Sequence, residues 1–108
     1  MRRHKYGAKT TIVDGIKFPS KKQAKRFQEL KLLMFADEIS ELQMEVVFPI
    51  EIYGCKICTY RADFVYEQLH PFPPKTVIED VKGIQTPVFK LKWKLMQAVY
   101  PEYIYRIT

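Results

Sequence analysis

The stretch VIEDVKG, residues 77–83, sets two carboxylates and a lysine inside a run that otherwise has the character of a buried strand. Taking charged groups out of water costs several kcal/mol unless partners compensate them, so Glu79, Asp80 and Lys82 need a reason to be there. Side chains alternate along a strand. On that pattern Ile78, Asp80 and Lys82 share one face, and Val77, Glu79 and Val81 share the other. The strand is expected over Thr76 to Lys82, with Gly83 ending it.

Working outward, the loop QLHPFPPK before this strand carries three prolines and cannot continue a strand. Ahead of it, Met44 to Ile52 and Ile57 to Tyr66 are expected as strands joined by a turn at Tyr53-Gly54-Cys55-Lys56. On the other side, Thr86 is an N-cap and Pro87 suits the first helical position. A helix is expected from there to about Tyr100, with Val88, Leu91, Leu95 and Val99 on one face. Lys90, Lys92 and Lys94 surround Trp93, read as a packing residue, and Pro101 stops the helix before a short strand from Tyr103 to Ile107. Further upstream, TTIVDGIKF alternates around Asp14-Gly15, a hairpin signal. Ser20 and Gln23 form a capping box for a helix over residues 21–38, with Ala24, Phe27, Leu30 and Met34 at helical spacing. Residues 1–9, MRRHKYGAK, make a basic arm. The order hairpin, helix, three strands, helix, strand predicts one mixed α/β (α+β) domain over residues 1–108.

A net charge of +6, from 18 basic and 12 acidic residues, favours a polyanionic partner, nucleic acid before a membrane surface. No apolar run is long enough to span a membrane, and Met1-Arg2-Arg3 opens no signal peptide, so a cytoplasmic protein is expected. Cys55 and Cys58 in GCKIC supply half of a zinc site. Neither His4 nor His70 lies in a ligand pair, so the cysteines are read as reduced structural thiols.

The strand before VIEDVKG contains TYRADFVY, whose one carboxylate is Asp63. Antiparallel pairing would bring it beside Asp80. Carboxylates that close repel one another, and a divalent cation removes the difficulty. Mg²⁺ takes hard oxygen ligands and usually one or two carboxylates, leaving positions for water and phosphate. Lys82 would then reach the attacked phosphate. The bland alternative is a structural Asp–Lys ion pair at a sheet edge. Lys21, Lys22, Lys25 and Arg26 crowd the start of the first helix, where the macrodipole disfavours cations, which makes sense if that end faces phosphates. Thr86, Lys90 and Lys94 at the second helix extend the same reading. Contacts of that kind predict salt-sensitive binding with little base preference.

Asp63 in YRADFVY followed by Asp80-Val81-Lys82 resembles the PD-(D/E)xK nuclease superfamily. The chain is also similar to a family of small phage proteins known as a domain of unknown function. That second likeness is carried by KYGAKTTIVDGIKFPSKKQAKRFQELKLL, YRADFVY, VIEDVKGIQTPVFKLKWKLM and the late YP, so it covers nearly the whole chain. The resemblance implies a restriction-endonuclease-like core, a central mixed sheet flanked by two helices. It also implies Mg²⁺ or Mn²⁺ held by Asp63 and Asp80, with Lys82 as the catalytic lysine. Relatives place a glutamate on the first helix in an S-x-x-E arrangement, whereas this chain has Ser20-Lys21-Lys22-Gln23. Glu45 ranks first as the substitute acid and metal ligand, Gln23 second and Glu29 third. The implied activity is a metal-dependent DNA endonuclease acting on branched, nicked or structured DNA, a Holliday-junction resolvase being one member of that class. Homodimerisation, other phage replication or recombination proteins as partners, and the host cytoplasm follow from the same resemblance. The competing reading is a DNA-binding protein that kept the fold and lost turnover.

Overall fold

In the computed structural model, which describes residues 10–108, the Asp14-Gly15 pair turns the chain with φ of 52° and 75°. Positive φ at both central residues is what a type I′ turn requires. Strand β1 (Thr11–Val13) accordingly folds back antiparallel onto β2 (Ile16–Phe18). The basic arm expected over residues 1–9 lies outside the described residues.

Ser20 caps helix α1 (Lys21–Phe35), its hydroxyl accepting from the Gln23 N–H at 3.1 Å. The helix stops earlier than the expected residue 38. Asp37 takes the left-handed conformation (φ 59°), and a closing motif forms around it. The Asp37 N–H donates to Met34 O at 3.1 Å and the Glu38 N–H to Leu33 O at 2.9 Å, satisfying carbonyls the helix end would leave open. Aspartate tolerates this conformation better than most residues.

Strand β3 (Ile39–Ile52) then begins well before the expected Met44, and β4 (Cys55–Gln68) outruns the expected Ile57–Tyr66 at both ends. A two-residue turn joins them, Tyr53 and Gly54 at φ 50° and 76°. Strand β5 (Lys75–Asp80) ends before the expected Lys82. Helix α2 (Pro87–Val99) starts on the Thr86 cap, whose hydroxyl accepts from the Phe89 N–H at 3.2 Å. Strand β6 (Ile104–Ile107) closes a four-stranded sheet in the order β3-β4-β5-β6, antiparallel except for the parallel β5–β6 pair.

The two helices cover opposite faces of this sheet. Val77, Phe64 and Tyr66 pack with Phe27 and Leu30 of α1, while their neighbours Ile78 and Val65 pack with Phe89 and Met96 of α2. The apolar face expected for α2 holds in its second half, where Leu95 and Val99 pack against the core, and is corrected in its first. Val88 and Leu91 are 63% and 60% exposed, whereas Phe89 and Met96 are buried and Trp93 packs beside them. Apolar residues surround the first turns of α2, and the orientation that buries the larger aromatic area prevails. Among the described residues no helix is long and apolar enough to cross a membrane.

Candidate functional site

Strands β4 and β5 pair from Gln68 opposite Lys75 to Phe64 opposite Glu79, so the same register sets Asp63 across from Asp80. There the ladder stops. The Asp63 side chain takes over as acceptor, its Oδ2 receiving the Val81 N–H at 2.8 Å. Beyond Asp80 the chain is held from the other side. The Thr108 N–H donates to Asp80 O at 3.0 Å and the Lys82 N–H to Thr108 O at 3.1 Å.

Asp80 is 1% exposed. The Tyr60 hydroxyl donates to its Oδ2, and Lys82 Nζ lies 3.1 Å from its Oδ1. The latter contact is an ion pair that is not aligned as a hydrogen bond. Among the described residues Asp80 Oδ1 is therefore a buried acceptor with no hydrogen-bond donor, an arrangement that calls for an explanation. The Lys82 ammonium also stands 4.6 Å from the centroid of the Phe89 ring, which steadies it by a cation–π contact. Burial, and next its hydrogen bond to Asp80, push the Tyr60 hydroxyl far above its ordinary range, so it remains a donor.

Burial first, and then the charge and side-chain contact of Asp80, push the Asp63 carboxyl up to about 7, against the opposing pull of the Val81 N–H and Lys82. The ordinary value is 3.8, so between the two the folded state holds a proton that the unfolded chain has released. Stability from this group is present at low pH, declines as pH rises from about 3.8, and is gone above about 7. Asp63→Asn keeps an acceptor for Val81 and removes the charge. Between pH 5 and pH 8 the parent is expected to lose on the order of 2 kcal/mol of unfolding free energy that Asp63→Asn retains. Urea titrations at the two pH values, without divalent cations, measure this; equal slopes for both proteins would remove it.

Glu79 points the other way, toward α1, and is fully buried. Arg26 Nε lies 2.5 Å from its Oε2 and Nη2 donates to Oε1 at 3.0 Å. The Tyr66 hydroxyl donates to Oε1 at 2.6 Å and the Thr108 hydroxyl to Oε2 at 3.1 Å. Arg26, read from sequence as a phosphate contact, is thus turned inward onto a carboxylate. Pairing with Glu79 holds its guanidinium protonated more firmly than usual, against the opposing effect of burial.

The remaining basic residues divide. Lys22 and Lys82 line a cleft of about 370 Å³ with Ser20, Gly83 and Thr86, at the starts of both helices. Lys22 and Lys25 line a neighbouring one of about 210 Å³, and Arg26 reaches its wall as well. Lys21 is exposed on α1, while Lys90 and Lys94 stand exposed on α2, outside both clefts. Gln23 is buried and Glu45 exposed, and together they line a small cavity of about 60 Å³ with Phe18 and Met44. Asp63 and Asp80 are not in its wall. Glu29 is an exposed acid 3.4 Å from Arg26, as its bland reading has it. Among the described residues no three His, Cys, Asp or Glu side chains are grouped to hold a metal. Cys55 and Cys58 are free thiols.

Two contacts of this architecture, Tyr60 with Asp80 and Arg26 with Glu79, have no local sequence signal. Tyr60 opens the very segment that contains Asp63, and its burial on the Asp80 face identifies it only once the strands are paired. Glu79 and Arg26 are 53 residues apart, and nothing local marks them as partners.

No curated protein and no solved structure matches the chain. The profile of the family described as Protein of unknown function (DUF1064) matches residues 3–107, and the chain belongs to that family.

Proposed function

We propose that the protein is a metal-dependent nuclease of the PD-(D/E)xK kind, hydrolysing phosphodiester bonds in DNA. The observation that carries this reading is the meeting of Asp63, Asp80 and Lys82 at the end of β5, with Asp80 Oδ1 buried and without a hydrogen-bond donor among the described residues. Two adjacent carboxylates, one of them pushed up by burial and by the other's charge, suit a hard divalent cation such as Mg²⁺ or Mn²⁺. Asp63 and Asp80 would hold it. Such an ion polarises a phosphoryl oxygen and lowers the pKa of a bound water.

The chain's own groups supply the rest. Lys82, anchored by Phe89, offers a cation to the charge that develops on the attacked phosphate. The clefts beside it, bearing Lys22, Lys25 and Thr86, suit a sugar-phosphate backbone, since such contacts position without reading bases. Glu45 and Gln23 line a separate cavity whose wall includes neither Asp63 nor Asp80, so the ion would rest on two carboxylates, completed by water and phosphate. Branched or nicked DNA is the proposed substrate class, and a homodimer the proposed form on a four-way junction.

The absence of a third grouped carboxylate among the described residues, together with glutamine at position 23, favours a second reading, a DNA-binding protein without turnover. Plasmid and synthetic four-way junctions, incubated with Mg²⁺, Mn²⁺ or EDTA, separate the two. Cleavage with either metal that EDTA abolishes is the expected result. Binding that weakens with salt but never cuts would establish the second reading, and neither binding nor cleavage would overturn both.

A further inference from the structure

We infer that Tyr60 is a positioning residue for metal binding, acting through Asp80; this rests on the two-carboxylate reading above. Tyr60 is 4% exposed, and its hydroxyl is directed at one oxygen of the Asp80 carboxylate. A carboxylate on a strand end can turn about its last bond. Occupying Oδ2 fixes that rotation and leaves Oδ1 as the oxygen with unspent acceptor capacity, beside Lys82. Groups that hydrogen-bond to a metal-ligating side chain set its orientation and typically change metal affinity about 10- to 100-fold when removed.

The ring of Tyr60 is held as firmly as its hydroxyl. Trp93 meets it edge-on at 5.9 Å between centroids, and Phe89 lies 5.4 Å from Trp93. Phe89 in turn carries the Lys82 ammonium on its face. Asp80, Tyr60, Trp93, Phe89 and Lys82 thus form a closed circuit of contacts. Helix α2 fixes the carboxylate through Trp93 and Tyr60, and the lysine through Phe89. The same aromatic cluster holds a second tyrosine hydroxyl that serves as a control. Tyr105 packs against Trp93 at 5.4 Å, but its hydroxyl donates to Met96 O and Tyr100 O, away from Asp80.

The test is calorimetric titration of Mn²⁺ into the full chain, its Tyr60→Phe variant and its Tyr105→Phe variant, each checked for its thermal midpoint. Tyr60→Phe is expected to weaken Mn²⁺ binding about 10- to 100-fold, while Tyr105→Phe stays near the parent although it too loses the hydrogen bonding of a part-buried hydroxyl. In cleavage assays Tyr60→Phe should need correspondingly more Mn²⁺ for half-maximal rate and approach the parent rate at saturation. Should Tyr60→Phe fail to fold, Trp93→Phe keeps the hydroxyl and loosens its support, and a smaller weakening in the same direction is expected. Equal affinity in the parent and the variant tested overturns the role of Tyr60 and leaves the nuclease reading standing. A parent that binds no Mn²⁺ overturns both.

Discussion

Arg26→Ala is expected to lower the unfolding free energy by about 3–5 kcal/mol, the loss that follows when one partner of a buried ion pair is removed. Glu79 is fully buried and would keep only the neutral hydroxyls of Tyr66 and Thr108 as donors. Small domains have about 5–15 kcal/mol in all, and in a chain of about 100 residues each kcal/mol moves the midpoint by roughly 4–8 °C. A fall of more than about 12 °C should therefore be seen by calorimetry. Arg26→Lys should lie between, because an ammonium cannot reproduce the fork that meets both oxygens of Glu79. Arg26→Met combined with Glu79→Leu should recover most of the loss, since a buried pair replaced by apolar residues of similar volume is often neutral. A drop below about 1 kcal/mol for Arg26→Ala, the scale of an exposed pair, would show that Glu79 is hydrated rather than sealed.

Asp80→Asn should abolish cleavage while leaving the fold intact, which separates the proposed chemistry from scaffold effects. The amide retains an oxygen for the Tyr60 hydroxyl but gives up the charge that would hold a cation. Several kcal/mol of transition-state stabilisation come with a Lewis-acid metal, and each 1.36 kcal/mol is tenfold in rate. The loss should be at least about a thousandfold on that arithmetic. The variant's thermal midpoint without metal should match or exceed the parent's at pH 8, because the repulsion that adds to burial in raising the Asp63 carboxyl is gone. Retention of cleavage in Asp80→Asn would move the chemistry away from this site.

Where the sequence could be read directly, the deciding interaction spanned a few residues. Asp14-Gly15, the Ser20 cap and the Thr86-Pro87 start are each specified within one turn. The pairing of Asp63 with Asp80 was legible as well, because period-two alternation in two consecutive strands leaves few registers. Three features needed three dimensions. The end of α1 depends on Asp37 adopting a left-handed conformation, which composition alone does not require. The inward face of α2 was decided by the sheet beneath it, which accommodates Phe89 and Met96 in preference to Val88 and Leu91. Glu79 found its cation on a helix far away in sequence, so the first charge of VIEDVKG could be noticed but not explained.

Because consecutive residues of β5 carry acids with different companions, the strand has a built-in guard against mispairing during folding. A slip by one position exchanges the two faces of a strand. It would turn Asp80, one methylene shorter than Glu79, toward the guanidinium, and would crowd Glu79 among the aromatic rings under α2. An ordinary apolar strand could tolerate such an offset as a kinetic trap. Here a one-position slip would part both acids from the donors that their own faces supply, and an uncompensated charge in a dry interior is costly.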